Sequence, residues 1–199
     1  MGTGMVGRAI AGRLVELGHD VRVGSRTAGE DRVPFAEAAA HGELLFNCTA
    51  GHASLDALAA AGEDNLAGKV LIDVSNALEF SGGGPALFVA NTDSLGERIQ
   101  RAFPQARVVK SLNTVNCNVM VDPASIPGDH VVFVCGDDED AKRLARGVLG
   151  EFGWPAGRVI DLGDISNARG AEMYLMLWVR LMPVVGGPAF NISLATPGG

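Results

Sequence analysis

A doubly wound α/β fold with a mostly parallel sheet is predicted by three features of this 199-residue chain. Short apolar runs of strand length alternate with longer stretches of helical periodicity. Most of the strand-like runs are continuous in Val, Ile and Leu, which is how strands covered on both faces of a parallel sheet read. A glycine-rich turn opens the first helix, at the kind of strand-to-helix junction where such sheets bind ligands.

Over residues 5–17 the apolar positions Val6, Ala9, Ile10, Leu14 and Leu17 recur at helical spacing, and Gly18 ends the helix. A short strand over 21–24 follows and stops at Ser25, Arg26 and Thr27. The pattern then predicts a helix over 34–40, a buried strand over 44–48, and a helix over 54–61 with Ser54 as its N-cap. Residues 69–74 (KVLIDV) read as a strand, and 81–85 as a loop from their Ser-Gly-Gly-Gly-Pro composition. A helix over 94–103, a strand over 107–111, a loop over 113–122 and a strand over 131–135 come next. A helix over 137–152, with an acidic first turn, leads to a last strand over 159–162. A long apolar helix over 166–182 closes the chain and is expected to complete the core or form a dimer seam. No internal repeat, charge run or linker divides the sequence, so residues 1–199 are expected to form a single domain.

The net charge of −7 disfavours nucleic acid and anionic membranes and points to small-molecule partners. Three cysteines are too few and too scattered for a disulfide framework or a Cys-x-x-Cys metal site. Cys48 and Cys135 end apolar runs and read as buried thiols. The apolar stretch 173–185 is short and interrupted by Arg180 and Pro183, so it is not expected to span a bilayer. A cytoplasmic location is expected, where the sequons at Asn47 and Asn191 carry no meaning.

Gly2-Thr3-Gly4-Met5-Val6-Gly7 is a GxGxxG motif. Alone it would be weak, since 27 glycines can produce that spacing by chance. Here it opens an amphipathic helix, and a strand ends about twenty residues later, as in the Rossmann dinucleotide-binding unit. The first glycine permits the turn, the second lets backbone approach a pyrophosphate, and the third packs helix on strand, while the helix N-terminus supplies N–H donors. An NAD site usually ends the second strand in Asp or Glu; this chain has Ser25-Arg26-Thr27 there. A hydroxyl and a guanidinium suit a ribose 2′-phosphate that a carboxylate would repel, so NADP is the better fit.

Three further strand ends present small or amide side chains that read as cofactor edges: Thr49-Ala50-Gly51-His52, Ser75-Asn76-Ala77 and Asn113-Thr114-Val115-Asn116. His52 has no evident acidic partner and reads as a surface or cofactor-stacking histidine rather than an acid or base. No nucleophile elbow, metal-ligand cluster or paired carboxylate is recognisable. Hydride transfer between two bound cofactors needs orientation and exclusion of water more than a protein acid or base.

Five blocks in order carry a more specific likeness: Gly2 to Gly7, Gly24-Ser25-Arg26, Lys110-Ser111-Leu112-Asn113-Thr114, Val134-Cys135-Gly136-Asp137-Asp138, and Leu162-Gly163-Asp164-Ile165-Ser166-Asn167-Ala168-Arg169. Through them nearly the whole chain resembles the NADP-dependent oxidoreductases of the deazaflavin coenzyme F420. The resemblance implies hydride transfer between NADP(H) and F420 at the carboxyl ends of the strands, the pyrophosphate on the glycine loop and the 2′-phosphate on the Ser-Arg pair. It also implies a deazaflavin contact at Phe190. Archaeal members carry a histidine where this chain has Asn113, and a basic residue where it has Glu30. Cofactor contacts are therefore expected at Gly2, Thr3, Gly4, Met5, Val6, Ser25, Arg26, Thr49, Ala50, Asn76, Asn113, Cys117 and Phe190, with no catalytic side chain and no metal ligand.

Two other readings remain. An NADP-dependent reductase of an imine, ketone or flavin would usually want a Lys or Tyr proton donor, and the single tyrosine, Tyr174, lies on the last helix. A noncatalytic NADP-binding module is the third. The closing helix is apolar nearly all round, which predicts burial and favours a homodimer.

The start of the sequence conflicts with this fold, because the glycine turn should follow a first strand that lies centrally in the order 3-2-1-4-5-6. Only Met1 precedes Gly2. Without that strand, the neighbours beginning near Val21 and Lys69 are expected to face each other across roughly 9–10 Å, two strand spacings, with two rows of backbone groups unpaired. A natural chain with about five to seven further apolar residues upstream is expected, Met1 being a misplaced start or an artificial boundary.

Overall fold

The computed structural model describes residues 1–80 and 83–197; Ser81 and Gly82, part of the predicted 81–85 loop, lie outside the described residues. In chain order the elements are α1 (Met5–Glu16), β1 (Gly24–Ser25), β2 (Val33–Pro34), α2 (Phe35–His41), β3 (Leu44–Asn47), α3 (Ser54–Ala61), α4 (Glu63–Leu66), β4 (Val70–Asp73) and the short pair β5 (Leu78–Glu79) and β6 (Ala86–Leu87). There follow α5 (Leu95–Ala102), β7 (Arg107–Ser111), α6 (Cys117–Val121), β8 (Val132–Cys135), α7 (Glu139–Glu151), β9 (Val159–Asp161) and α8 (Ala168–Val184).

The main sheet has the order β3-β4-β7-β8-β9. All its pairs are parallel except β7 with β8, so the expected mostly parallel sheet is present with one reversed junction. Two apolar cores cover its faces. Phe46, Ile72, Val109 and Val134 point to one, with Ile10 of α1 and Leu149 of α7. Leu45, Leu71 and Val108 point to the other, with Phe35 of α2, Leu58 of α3 and Ile99 of α5. Alternate residues of β3 thus serve opposite cores, which is why these strands are apolar throughout.

Several expectations change. Residues 21–23 are assigned to no strand: the ladder begins at Gly24, which is in register with Val33 of β2, and Val23 contributes only its carbonyl, accepting from Val33 N at 3.0 Å. The reason is visible beside them: the segment has β2 on one side and an open slot on the other. That slot lies between residues 21–24 and β3, not between 21–24 and the strand near Lys69, because β4 pairs in register with β3. β2 holds the outer side of β1, so the chain crosses to the other side of the slot before resuming the sheet.

The predicted loop 113–122 contains the one-turn-plus helix α6, capped by Asn116, whose side chain accepts from Asn118 N. Ser54 is the first residue of α3 rather than its cap; its hydroxyl is committed to Asn47 and Thr49. Cys135 is buried as expected, whereas Cys48 is half-buried and faces two cavities. In α8 only Ala168, Ala171, Glu172 and Leu175 are buried. Met173, Leu177 and Val184 are exposed, so burial all round does not hold within one copy of the chain. Among the described residues, no helix is long and apolar enough to cross a membrane.

Candidate functional site

The loop over residues 2–7 is built by glycines that the packing requires. Gly2 has φ +109° and its missing Cβ would stand 2.6 Å from the Cys48 carbonyl oxygen. A Cβ at Gly7 would stand 2.1 Å from the Gly2 carbonyl oxygen, so α1 leaves the loop in close backbone contact. Around Gly4, by contrast, nothing lies within 4 Å of a Cβ position. Gly4 caps α1 without a capping side chain, and no acidic residue occupies the first turn. The first N–H groups of α1, including those of Met5 and Val6, therefore keep the free donors and positive end that attract an anion.

A cavity of about 710 Å³ opens beside this loop and is lined by Gly2, Thr3, Gly4, Ser25, Arg26, Thr49 and Ala50, together with Phe35, His52 and Asp56. Seven residues expected from sequence to touch a cofactor thus share one cavity. Ser25 is buried and its hydroxyl donates to Thr27 O, which fixes the turn carrying Arg26. Arg26 is exposed and forms no ion pair among the described residues. The exposed His52 sits in a 3₁₀ turn on the wall of the same cavity as Arg26, and has no carboxylate partner among the described residues.

At the neighbouring strand ends the amides of Asn76 and Asn113 clasp each other. Asn113 Nδ2 donates to Asn76 Oδ1 at 3.0 Å and to the Ala171 carbonyl of α8, and Asn76 Nδ2 donates to the Asn113 carbonyl. These two amides are spent on joining β4, β7 and α8, so they shape the site's edge instead of presenting free donors to it. Leu112, just before Asn113, is fully buried at φ +62°, a strained conformation for a bulky residue. Gly51 presses on the same junction, its missing Cβ falling 2.0 Å from the Asn76 carbonyl oxygen.

Beneath the clasp lies a buried ionic cluster that the sequence reading missed. Lys110 Nζ bonds Asp73 at 2.7 Å and Glu172 at 2.9 Å, and donates to the Ser75 carbonyl. Asp73 Oδ1 also accepts from Asn47 Nδ2, Ser75 N and Ser75 Oγ. Glu172 accepts from the Leu95 and Gly96 amides at the start of α5. One cation faces two carboxylates, and the positive end of α5 offsets the excess. Burial alone would lower the Lys110 ammonium, but Asp73 and Glu172 outweigh it and hold Lys110 above its ordinary value. The available signal was one charge near the end of each apolar run, at Asp73, Lys110 and Glu172.

Cys117 opens α6, its Sγ near the side chains of Asn116 and Asn118, and Phe190 stacks on Trp178 with ring centroids 5.4 Å apart. Neither lines the 710 Å³ cavity. Burial pushes the Cys48 thiol up to about 11, so it is protonated at the loop's floor.

Residues 1–77 match the family model described as NADP oxidoreductase, coenzyme F420-dependent. A crystal structure from Arthrobacter sp. FB24, provisionally described as an F420-dependent NADP reductase, shares 47% identity with a TM-score of 0.93, covering 98% of this chain and 97% of that one. The F420-dependent NADP reductase of Methanothermobacter marburgensis is 28% identical across 90% of this chain and 89% of its own length. The metalloreductase STEAP3 of Rattus norvegicus is 31% identical over 92% of this chain, which spans only 36% of that longer protein. With likeness to the Arthrobacter protein running the length of both chains, and the glycine loop and strand-end arginine inside the matched family segment, this chain belongs to the F420-dependent NADP oxidoreductase family.

Proposed function

We propose that this protein transfers a hydride between NADP(H) and the deazaflavin coenzyme F420, as a cytoplasmic homodimer of single-domain chains. The observation that carries the reading is Arg26: a guanidinium with no ion pair among the described residues, on the rim of a cavity that begins at a helix N-terminus without a capping side chain or an acidic first turn. In this reading the Thr3 and Gly4 backbone and the first amides of α1 hold the pyrophosphate. Ser25 and Arg26 hold the 2′-phosphate, and Thr49 and Ala50 line the path toward the nicotinamide. The residues fit the group, because the loop is open only at Gly4, where backbone must approach a phosphate.

The nicotinamide ring supplies the hydride chemistry when bound, and the chain's part is to orient and to exclude water. The Asn76–Asn113 clasp and the buried Lys110 cluster support this role by making the strand ends rigid. Met5, Val6, Asn76, Asn113, Cys117 and Phe190 are proposed to complete the contacts around the two cofactors. The exposed Met173, Leu177 and Val184 of α8 support pairing with a second copy, checked by sedimentation equilibrium. The function is tested by mixing the protein with NADPH and each acceptor class in turn. Bleaching of the deazaflavin absorbance without turnover of flavins or imines is the expected result; turnover of imines or flavins alone would replace this reading.

A further inference from the structure

The buried ionic cluster fixes which way each neighbouring hydrogen bond runs, and that direction reaches the cavity through Asn47 and Thr49. Lys110 holds Asp73 as a carboxylate, which can only accept. Asp73 Oδ2 takes Lys110 Nζ, and Oδ1 takes Ser75 N, Ser75 Oγ and Asn47 Nδ2, the last at 2.8 Å. Asn47 is fully buried, and its amide turned the other way would set two oxygens face to face. Its Nδ2 therefore points to Asp73 and its Oδ1 to the strand end.

There Oδ1 accepts from Thr49 Oγ1 at 2.6 Å and from Thr49 N at 3.3 Å. Thr49 has no further proton to give. The buried Ser54 Oγ, 3.0 Å from Thr49 Oγ1, can fill one of the two lone pairs on that oxygen and leaves the other. Thr49 is half-buried and lines the 710 Å³ cavity, so what it offers a ligand is an acceptor and no donor.

The cavity thus has two ends of opposite polarity. Gly2 N bonds the Gly24 carbonyl of β1 on one side, and the missing Cβ of Gly2 faces the Cys48 carbonyl on the other, so Arg26 and Thr49 flank the glycine loop from opposite sides. The first amides of α1 and the Arg26 guanidinium are donors and suit phosphates. At Thr49 a phosphate oxygen would meet a lone pair, whereas a sugar hydroxyl or a carboxamide N–H would bond. We infer that Asn47, locked by Asp73 and Lys110, is a positioning residue that makes Thr49 an acceptor for a hydroxyl or amide donor on the nicotinamide riboside half of the dinucleotide. This rests on the reading of the cavity as a dinucleotide site and adds which half of the ligand meets which wall. Lys110 acts on that contact through two intervening side chains.

The test is calorimetric titration of the full chain with NADP and with adenosine 2′,5′-bisphosphate, which keeps the 2′-phosphate and lacks the nicotinamide riboside. Thr49→Val removes the lone pairs at nearly constant shape and should weaken NADP roughly three- to tenfold, the worth of one hydrogen bond, while leaving the bisphosphate within about twofold. Thr49→Ser should bind both as the parent does. Asn47→Ala should show the same selective loss, and adding Thr49→Val to it should cost little more, because the two act through one contact. In the unmodified chain the Asn47 side-chain amide resonances should shift on adding NADP and stay in place on adding the bisphosphate. Unchanged NADP affinity in Thr49→Val, equal losses for both ligands, or Asn47 resonances indifferent to NADP would overturn the inference. A parent chain that binds neither compound would instead remove the dinucleotide reading of the cavity, and this inference with it.

Discussion

Arg26 and Lys110 are the two cations on which the proposed site rests, and they lie in opposite surroundings. Arg26 is exposed and unpaired among the described residues, so its contribution waits for an anion. Replacing it with aspartate should abolish the preference for NADP over NAD, by roughly the 1.5–3 kcal/mol of a charged hydrogen bond. Calorimetric titration of both dinucleotides checks this, and an unchanged preference would remove Arg26 from the 2′-phosphate site. Lys110 is spent on Asp73 and Glu172 inside the protein. Lys110→Met should cost about 3–5 kcal/mol in urea unfolding, because it leaves two buried carboxylates facing each other. The folded ammonium titrates above its ordinary value, so its stabilisation is complete below about pH 10.5 and is lost as pH rises through the folded value. Arg26 was legible because a motif gave its position a meaning. Lys110 was not, since one charge near the end of an apolar run reads as a strand end until a partner 62 residues later folds over it.

α5 and α8 are tied by a second ionic contact nearer the surface. Arg169 grips Glu97 through both carboxylate oxygens, at 2.6 and 2.9 Å, and Ser94 caps α5 while donating to the same carboxylate. Hydrogen bonding from Arg169 holds the Glu97 carboxyl below its ordinary value, with Ser94 adding to it against a burial cost. A lowered folded value gives stability that is present above the ordinary value of 4.5 and is lost as pH falls through the folded one. Arg169→Gln should therefore melt lower than the parent near neutral pH and lose less on acidification, so that the gap between the two narrows as pH falls below about 4.5; a gap that stays constant through the acid range would contradict the linkage. Both partners sit in elements that periodicity located within a residue or two. The elements it missed include β2, α4, α6 and the β5–β6 pair, each too short to display a period. α6 depends on the Asn116 cap and on packing against α1, a tertiary effect invisible in five residues.

The sheet as a whole was legible in its class and not in its order. Continuous apolar runs identified β3, β4, β7, β8 and β9, but sequence could not show that β7 and β8 run antiparallel, or that the open slot borders β3 rather than β4. Strand order follows from which side each crossover takes, and the two-residue β2 decided it by occupying the outer side of β1. What the motifs did place is the cavity, since Gly2 and Gly4 of the glycine loop, Ser25 and Arg26 at the end of β1, and Thr49 and Ala50 after β3 all line it. The central claim is that this cavity holds a nicotinamide that exchanges hydride directly with a deazaflavin. NADPH deuterated at the transferring face of its nicotinamide, incubated with F420 and the protein in ordinary water, tests it by mass spectrometry of the reduced deazaflavin. The account expects one deuterium on the product ring; reduced deazaflavin carrying only solvent hydrogen, or no reduction at all, would contradict it.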